Sequence, residues 1–267
     1  MQPPTALTIA GSDSGGGAGA QADLKTFHAS GVHGMSALTS VTVQNSLGVT
    51  GRYDVPPHAV AEQIESVATD IGVGAAKTGM LASAPIMAAI AAAVQRLRIT
   101  PLVVDPVAAS QHGDPLLDDD AFASLRDVII PLATLVTPNL NEVRLLTGLE
   151  VNDVAGMHEA ARAMHAFGPA WVLIKGGHLP AGDAVDVLYD GETFTELAAP
   201  RLDSRHTHGS GDTLAAAITA SLARGLDVPD AVRVGKRFVS GAVADAYPLG
   251  TGRGPVGHFW RVRPWPE

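Results

Sequence analysis

The chain has 267 residues, of which 46% are hydrophobic and 17% are charged, so it can bury a sizeable apolar core. Its formal net charge of −9 argues against a nucleic-acid partner, because phosphates would need a basic protein face. It contains no cysteine, which excludes disulfides, thiolate metal sites and a cysteine nucleophile.

Strand-like and helix-like segments alternate along the chain. In order, the sequence predicts a strand at 6–10, a helix at 20–30, a strand at 37–43, a helix at 57–71, a strand at 74–77, a helix at 85–97, a strand at 102–104, a helix at 119–128, a strand at 134–136, helices at 140–147 and 154–166, and a strand at 171–174. Asp190-Gly191, between segments 185–189 and 193–197, predicts a β-hairpin. Two helices, at 211–224 and 229–246, precede a Gly/Pro-rich tail.

Repeated strand–loop–helix units with short apolar strands predict an α/β fold, in which helices cover both faces of a mainly parallel sheet. No internal repeat or long linker divides the sequence, so we expect a single domain over residues 1–267. The N-terminus lacks the basic flank and apolar core of a signal peptide. The longest apolar stretch, 88–94, is too short to cross a bilayer. We therefore expect a cytoplasmic protein with no membrane association.

Polar residues follow most of the predicted strands. Ligands of open α/β sheets bind beyond the carboxyl ends of the strands, so these residues are candidates for a binding site. They occupy positions 11–17, 44–45, 77–80, 105–106, 137–139 and 175–177. The glycine loop at 11–17 is neither a P-loop nor a dinucleotide-binding fingerprint, which disfavours a dinucleotide-dependent oxidoreductase.

A second glycine-rich stretch, at 206–213, leads directly into a predicted helix. Backbone N–H groups of Gly209, Ser210, Gly211 and Asp212 would point at a phosphate, since the first helical turn has unpaired donors and the positive end of the helix dipole. Asp212 would stay ionised and able to accept a proton. A simple helix cap after a glycine turn explains the same residues. This stretch alone therefore does not distinguish a phosphate-binding site from a capped helix.

Seven segments, taken together and in order, resemble the hydroxymethylpyrimidine/phosphomethylpyrimidine kinases of thiamine biosynthesis, a family of the ribokinase-like superfamily. These segments are 10–27, 77–81, 104–107, 137–142, 175–178, 208–213 and 254–259. The resemblance implies a ribokinase-like fold and transfer of the γ-phosphoryl group of ATP, with Mg²⁺, to the hydroxymethyl group of 4-amino-5-hydroxymethyl-2-methylpyrimidine. It also implies phosphorylation of the resulting monophosphate to the diphosphate, and it suggests a homodimer.

The resemblance assigns catalytic roles to the 209–212 stretch. Asp212 would accept the hydroxymethyl proton, while Gly209, Ser210 and Gly211 would hold the transferring phosphoryl group by their backbone N–H groups. Many family members carry cysteine where Asp212 stands. Aspartate here resembles the wider superfamily, in which this residue acts as the base.

Four residues are similar to the parts of the family that handle ATP and metal. Asn139 and Glu142 match an N-x-x-E motif that places Mg²⁺ and the nucleotide phosphates, with Glu142 as the candidate metal ligand. A helix-capping pair after Pro138 is the structural alternative. Lys175 resembles a lysine near the ATP phosphates, or is a surface lysine extended along a strand end. Asp105 either joins the phosphate region or caps a turn.

Gln44 is the most informative residue for the aminopyrimidine. Its side chain offers an acceptor and two donors in one plane, which suits a ring nitrogen beside an amino group. In the resembled family this position contacts the pyrimidine. Asp23 matches the family's first segment and could reach the substrate. Space for a flat ring, or apolar cover over it, is expected from Gly11, Ala18, Val43, Met80 and Val107.

Segment 108–114 and His208 are the last two features that the sequence singles out. Segment 108–114 is expected to form a flap, but Gln111 and His112 depart from the family pattern, so no phosphate contact is assigned there. His208 is expected to make a structural hydrogen bond.

The first alternative function is that of a pyridoxine, pyridoxal or pyridoxamine kinase, which shares the fold and mechanism. A non-catalytic vitamin- or nucleotide-binding protein is the alternative from another functional class.

Overall fold

The computed structural model describes residues 2–108, 119–177, 179 and 182–262. Within these residues, nine strands form one sheet in the order β3-β2-β1-β4-β5-β6-β7-β8-β9. The strands are β1 (Thr5–Ser12), β2 (His33–Asn45), β3 (Gly48–Asp54), β4 (Ala75–Thr78), β5 (Leu102–Val104), β6 (Leu135–Val136), β7 (Trp171–Lys175), β8 (Ala184–Tyr189) and β9 (Phe194–Ala199). Strands β2, β1, β4, β5, β6 and β7 pair in parallel, and the pairs β2–β3, β7–β8 and β8–β9 are antiparallel.

Helices lie on both faces of the sheet, as the sequence predicts. They are α1 (Gly19–Ala29), α2 (Pro57–Asp70), α3 (Ala84–Leu97), α4 (Asp119–Ser124), α5 (Leu140–Thr147), α6 (Val154–His165), α7 (Ser210–Ala223) and α8 (Val228–Ala244). Neighbouring residues of one strand point to opposite faces, so Val103 packs in the cluster around α7 and α8, whereas Val104 packs in the cluster around α2, α3 and α6. The two cores therefore sandwich the sheet.

The predicted elements are present, with one strand missed. The strand predicted at 37–43 is longer and forms a hairpin with β3, which was not predicted because Gly48–Asp54 contains two glycines and few apolar residues. The predicted helix 119–128 is α4, followed by a π-helical segment, Leu125–Ile129. No helix in the described ranges is both long and apolar enough to span a bilayer.

The strand order places the expected ligand crevice beside β1. The chain passes from β1 to β2 on one side and then returns to β4 on the other, so β1 lies at the point where the order reverses. In parallel sheets of this kind, ligands bind beyond the carboxyl ends of the strands at that point. The first turn of α7 lies at the same edge, and α7 is buried from Thr213 to Leu222.

Candidate active site

A cavity of about 860 Å³ opens at the carboxyl ends of the parallel strands. Most residues that the sequence singled out lie around it. The predicted residues that line it are Gly11, Ala18, Gln44, Met80, Asp105, Val107, Asn139, Glu142, Lys175, Gly209, Ser210, Gly211 and Asp212. The fold thus brings together residues that are up to about two hundred positions apart in the chain.

The start of α7 forms one wall of the cavity. Gly209 is the N-cap with φ of 77°, and a Cβ there would collide with the carbonyl oxygen of Gly17, so glycine is required at this position. The backbone N–H of Ser210 donates to the carbonyl oxygen of Thr207 at 3.1 Å, and is therefore already occupied, contrary to the prediction of four free donors. The N–H groups of Gly211 and Asp212 have no acceptor among the described residues.

Asp212 lies in that first turn, with its carboxylate partly exposed to the cavity. Its Oδ1 is 3.6 Å from Nζ of Lys77, whose side chain is fully buried. Burial alone would lower the pKa of Lys77, but the carboxylates of Asp23, Asp212 and Asp105 together raise it. Lys77 therefore stands as a permanent cation behind the candidate base.

Asp23 does not reach the cavity, which corrects the prediction that it could contact the substrate. Its side chain is fully buried on the inner face of α1, where Oδ1 is 2.8 Å from Nζ of Lys77 and Oδ2 accepts from the Thr8 hydroxyl at 2.6 Å. Burial raises the pKa of Asp23 to about 7, against the lowering effect of the Lys77 ammonium. Asp23 acts on the site through Lys77.

Lys175 also lines the cavity, between two carboxylates. Its Nζ is 2.8 Å from Asp105 Oδ1 and 3.7 Å from Glu142 Oε2. Burial would lower the pKa of Lys175, but Asp105 and Glu142 outweigh it and raise the pKa well above its usual value. Lys175 is therefore a cation held at the cavity wall rather than a lysine extended into solvent.

Asn139 and Glu142 make the capping pair that was the structural alternative, and both also line the cavity. Asn139 Oδ1 accepts from the Glu142 N–H at 2.9 Å, and Glu142 Oε2 accepts from the Asn139 N–H at 2.7 Å. Burial raises the pKa of Glu142 to about 7, against the lowering effect of Lys175. The cap fixes the Glu142 carboxyl at the cavity wall beside Lys175.

The oxygen donors around Lys175 fit Mg²⁺ only in part. No three acidic or histidine side chains of the described ranges converge as a complete metal cluster. Mg²⁺, however, commonly binds one or two carboxylates together with water and substrate phosphates. Asp105 and Glu142 supply such oxygens, and Asp105 Oδ2 faces Gly211, where a Cβ would lie 3.7 Å away. The donor set suits a metal that arrives with a nucleotide.

Gln44 also lines the cavity, on a strand that is not adjacent to the strand of Lys175. It lies within β2 rather than after it, and its side chain contacts Thr42 and His208. Val43 does not line the cavity and is 48% exposed, which corrects the prediction that it leaves space for a ring. The reason is that consecutive strand residues point to opposite faces, so Thr42 and Gln44 face inward and Val43 faces outward.

Asp13 organises the glycine loop after β1, a role that the sequence did not reveal. Its carboxylate accepts from the N–H groups of Gly15, Gly17 and Ala18 at 2.8 to 2.9 Å, and Oδ2 is 3.1 Å from Nε2 of His208. Burial would raise the pKa of Asp13, but His208 and these amides hold it below its usual value. His208 thus makes the predicted structural hydrogen bond, and it also lines the cavity.

Two buried lysines make ion pairs that the sequence did not predict, although Lys77 was among the candidates that follow strands. Lys77 follows small apolar residues in a strand, where a buried ammonium needs a carboxylate, and this requirement was a usable signal. Lys236 of α8 lies 2.7 Å from Asp186 Oδ2, while Asp186 Oδ1 accepts from the N–H of Gly176. This pair fixes the turn after Lys175. The predicted flap, apart from Ala108, lies outside the described residues.

Comparison with known proteins gives the family. Residues 13–257 match the family model described as phosphomethylpyrimidine kinase. A hydroxymethylpyrimidine/phosphomethylpyrimidine kinase of Mycobacterium tuberculosis is 57% identical over 98% of this chain and 96% of its own length. A corresponding enzyme of Streptomyces coelicolor is 56% identical over 98% and 97%.

Solved structures agree with this. A Bacillus subtilis pyridoxal kinase, solved as an ADP complex, superposes with a TM-score of 0.91 at 40% identity, covering 97% of this chain and 98% of that one. A Clostridium difficile phosphomethylpyrimidine kinase gives a TM-score of 0.79 at 40% identity, covering 88% and 97%. The architecture is the ribokinase-like α/β fold predicted from the sequence. With the family match spanning most of its length, this chain belongs to the phosphomethylpyrimidine kinase family.

Proposed function

We propose that the protein transfers the γ-phosphoryl group of ATP to the hydroxymethyl oxygen of 4-amino-5-hydroxymethyl-2-methylpyrimidine, and that it then phosphorylates the monophosphate to the diphosphate, in thiamine biosynthesis. The observation that carries the proposal is the position of Asp212. Its carboxylate lies in the first turn of α7, beside two N–H groups that have no acceptor among the described residues, in a cavity that Gln44 and Lys175 also line.

The proposed phosphoryl transfer uses the groups that line this cavity. The hydroxymethyl oxygen attacks the γ-phosphorus, a new O–P bond forms, and the bond between the γ-phosphorus and the bridging oxygen breaks to release ADP. Asp212 takes the proton of the attacking hydroxyl, which requires its carboxylate to lie within hydrogen-bonding reach. The N–H groups of Gly211 and Asp212 stabilise negative charge on the transferring group, and Lys175 does so from the nucleotide side.

We include Mg²⁺ as part of this proposal. Glu142 and Asp105 would hold it, and when bound it would neutralise charge on the phosphates. Glu142 is suited to this because its cap with Asn139 fixes it, while Lys175 holds Asp105 in place.

We also propose that the chain folds as a single domain and forms a homodimer in the cytoplasm. What supports association is an apolar face on the β2–β3 hairpin at the sheet edge, where Val41 is 45% exposed and the opposing Tyr53 is 71% exposed. Monomeric proteins seldom leave such a patch uncovered on an edge strand. Sedimentation equilibrium across a range of protein concentrations tests the dimer.

Phosphorylation of pyridoxal is the second candidate, because the Bacillus subtilis structure of the same fold is a pyridoxal kinase. A side-by-side coupled assay with Mg-ATP and hydroxymethylpyrimidine, its monophosphate or pyridoxal separates the two. We expect the highest kcat/KM with hydroxymethylpyrimidine and turnover of the monophosphate. Turnover of pyridoxal alone would replace the substrate, and no turnover of any of the three would refute the enzymatic function.

A further inference from the structure

The side chain of Gln44 lies between Thr42 and His208, and the hydrogen bonds of each neighbour show whether it donates or accepts toward Gln44. One end of its carboxamide, Oε1, lies 3.0 Å from Thr42 Oγ1, and the other end, Nε2, lies 3.4 Å from His208 Nε2. The nitrogen and oxygen of a carboxamide have nearly the same shape, so their hydrogen-bond partners decide which end is which. The two neighbours therefore determine what Gln44 presents to a ligand.

The first neighbour, His208, must act as a donor at Nε2. This nitrogen is 3.1 Å from Asp13 Oδ2, an oxygen that already accepts from the N–H groups of Gly17 and Ala18. An ionised carboxylate has no proton to donate, so the proton between the two groups belongs to Nε2. A protonated Nε2 cannot accept a hydrogen bond from Gln44. The end of the carboxamide beside it has to be the oxygen, which shares the one Nε2 proton with Asp13 in a three-centre bond, at 3.4 Å against 3.1 Å.

The second neighbour, Thr42, must act as an acceptor toward Gln44. Its hydroxyl carries one proton, and the carbonyl oxygen of Ser12, which can only accept, lies 2.7 Å from Oγ1. The proton of Thr42 is therefore used for Ser12, and the lone pairs of Oγ1 face Gln44. The end of the carboxamide beside Thr42 has to be the nitrogen, which agrees with the requirement at His208.

We propose that the carboxamide of Gln44 is held with its oxygen toward His208 and its nitrogen toward Thr42, and that His208 is the positioning residue that fixes this orientation. His208 is itself fixed, because Asp13 binds its Nε2 and because the ring packs against Gly17, where a Cβ would come within 2.6 Å of it. The whole arrangement is tied to the backbone amides of the glycine loop.

This orientation lets Gln44 select between an aminopyrimidine and pyridoxal, a role that rests on the proposed function. The remaining lone pair of Oε1 accepts on the His208 side, and the remaining N–H donates on the Thr42 side. A ring with an amino group next to a ring nitrogen fits this order. When the hydroxymethyl groups are superposed, pyridoxal carries its aldehyde in place of the amino group and a hydroxyl-bearing carbon in place of the ring nitrogen. The aldehyde oxygen can only accept, so it would meet the acceptor Oε1 without a proton between them. Fixing Gln44 therefore favours an aminopyrimidine over pyridoxal.

The orientation can be tested without any substrate. In protein labelled with ¹⁵N at glutamine, the Gln44 side-chain signal is identified by its loss in Gln44→Leu. We expect its amide protons to show their strongest nuclear Overhauser effects to the Thr42 methyl group. Strongest effects to the ring carbon protons of His208 would overturn the proposed orientation, whatever the enzyme phosphorylates.

The role of His208 is tested by the ratio of kcat/KM for hydroxymethylpyrimidine to that for pyridoxal. His208→Met removes the donor and should lower this ratio at least tenfold, while His208→Gln restores an N–H and should keep it. If His208→Met does not fold, Thr42→Val, which removes the acceptor, should lower the ratio in the same way. An unchanged ratio in the folded donor-less or acceptor-less variant would overturn the positioning role. Absence of turnover by the unaltered protein would refute the proposed function, and the nuclear Overhauser result would still decide the orientation.

Discussion

Lys77 Nζ lies 3.6 Å from Asp212 Oδ1, so a fully buried ammonium stands directly behind the carboxylate that opens onto the cavity. Asp23 binds the same ammonium from the other side at 2.8 Å. Asp23 is fully enclosed with Lys77, so Asp212 is the carboxylate of this group that opens onto the cavity. The buried pair thus supports the candidate base from below and links it to β4 and α1.

Lys77→Met should destabilise the fold strongly. It leaves the carboxyl group of Asp23 buried without its cation, and breaking a buried ion pair from one side commonly costs about 3–5 kcal/mol. The change in the free energy of unfolding is measured by urea denaturation. The double variant Lys77→Met/Asp23→Asn is the control, and it should recover part of the loss because no unpaired charge remains. A single variant within about 1 kcal/mol of the unaltered protein would show that the pair is not a major source of stability.

Glu142→Gln should weaken the use of Mg²⁺ without unfolding the helix start. Glutamine can still accept from the Asn139 N–H, so the cap of α5 is kept while the negative charge is lost. We expect the Mg²⁺ concentration for half-maximal activity to rise roughly tenfold or more. Glu159→Gln, at an exposed position of α6, is the matched control. An unaltered Mg²⁺ dependence in Glu142→Gln would remove Glu142 as a metal ligand.

His258 should make the protein less stable in acid. Burial lowers the pKa of this ring from 6.5 to about 4 in the fold, where Nε2 lies 3.0 Å from Thr213 Oγ1. Between these two values the unfolded chain binds the proton and the folded chain does not. Stability is therefore complete above about pH 6.5 and falls as the pH drops toward 4, by at most about 3 kcal/mol from this group.

The measurement is the free energy of unfolding of His258→Gln across this pH range. The variant should show a shallower loss of stability between pH 6.5 and 4 than the unaltered protein. His33→Gln, at an exposed position of β2, should leave the slope as it is. Equal slopes in all three proteins would contradict the account of His258.

The sequence predicted the elements better than the direction of individual side chains. Apolar runs such as Leu102–Val104 reveal a buried strand by composition alone, whereas Gly48–Asp54 gains its strand structure from pairing with β2 and carries little signal of its own. Gln44 was correctly expected at the cavity. Val43 and Asp23 were placed on the wrong face, because the register of a strand and the rotation of a helix depend on long-range packing.

The candidate phosphate region was anticipated from motifs, but its internal bonding was not. The Asn139–Glu142 spacing indicated both a cap and an N-x-x-E site, and the structure contains the cap at the cavity wall. His208, which binds Asp13, and Asp23, which binds Lys77, lie 195 and 54 residues from their partners in the chain, so no local pattern predicts these contacts. Such contacts follow only once the sheet order is known.

The most direct test of the central claim is a single-turnover measurement on Asp212→Asn with Mg-ATP and hydroxymethylpyrimidine. Asparagine keeps the shape of the side chain but removes the carboxylate that takes the proton. Asp230→Asn, an exposed acid in the first turn of α8, is the matched control and should keep the rate of the unaltered protein.

We predict that the rate of phosphoryl transfer in Asp212→Asn falls roughly 10²–10⁴-fold, the usual contribution of a general base, while the dissociation constants of both substrates change only a few-fold. Phosphoryl transfer at the unaltered rate in a folded Asp212→Asn protein would contradict the assignment of Asp212 as the base.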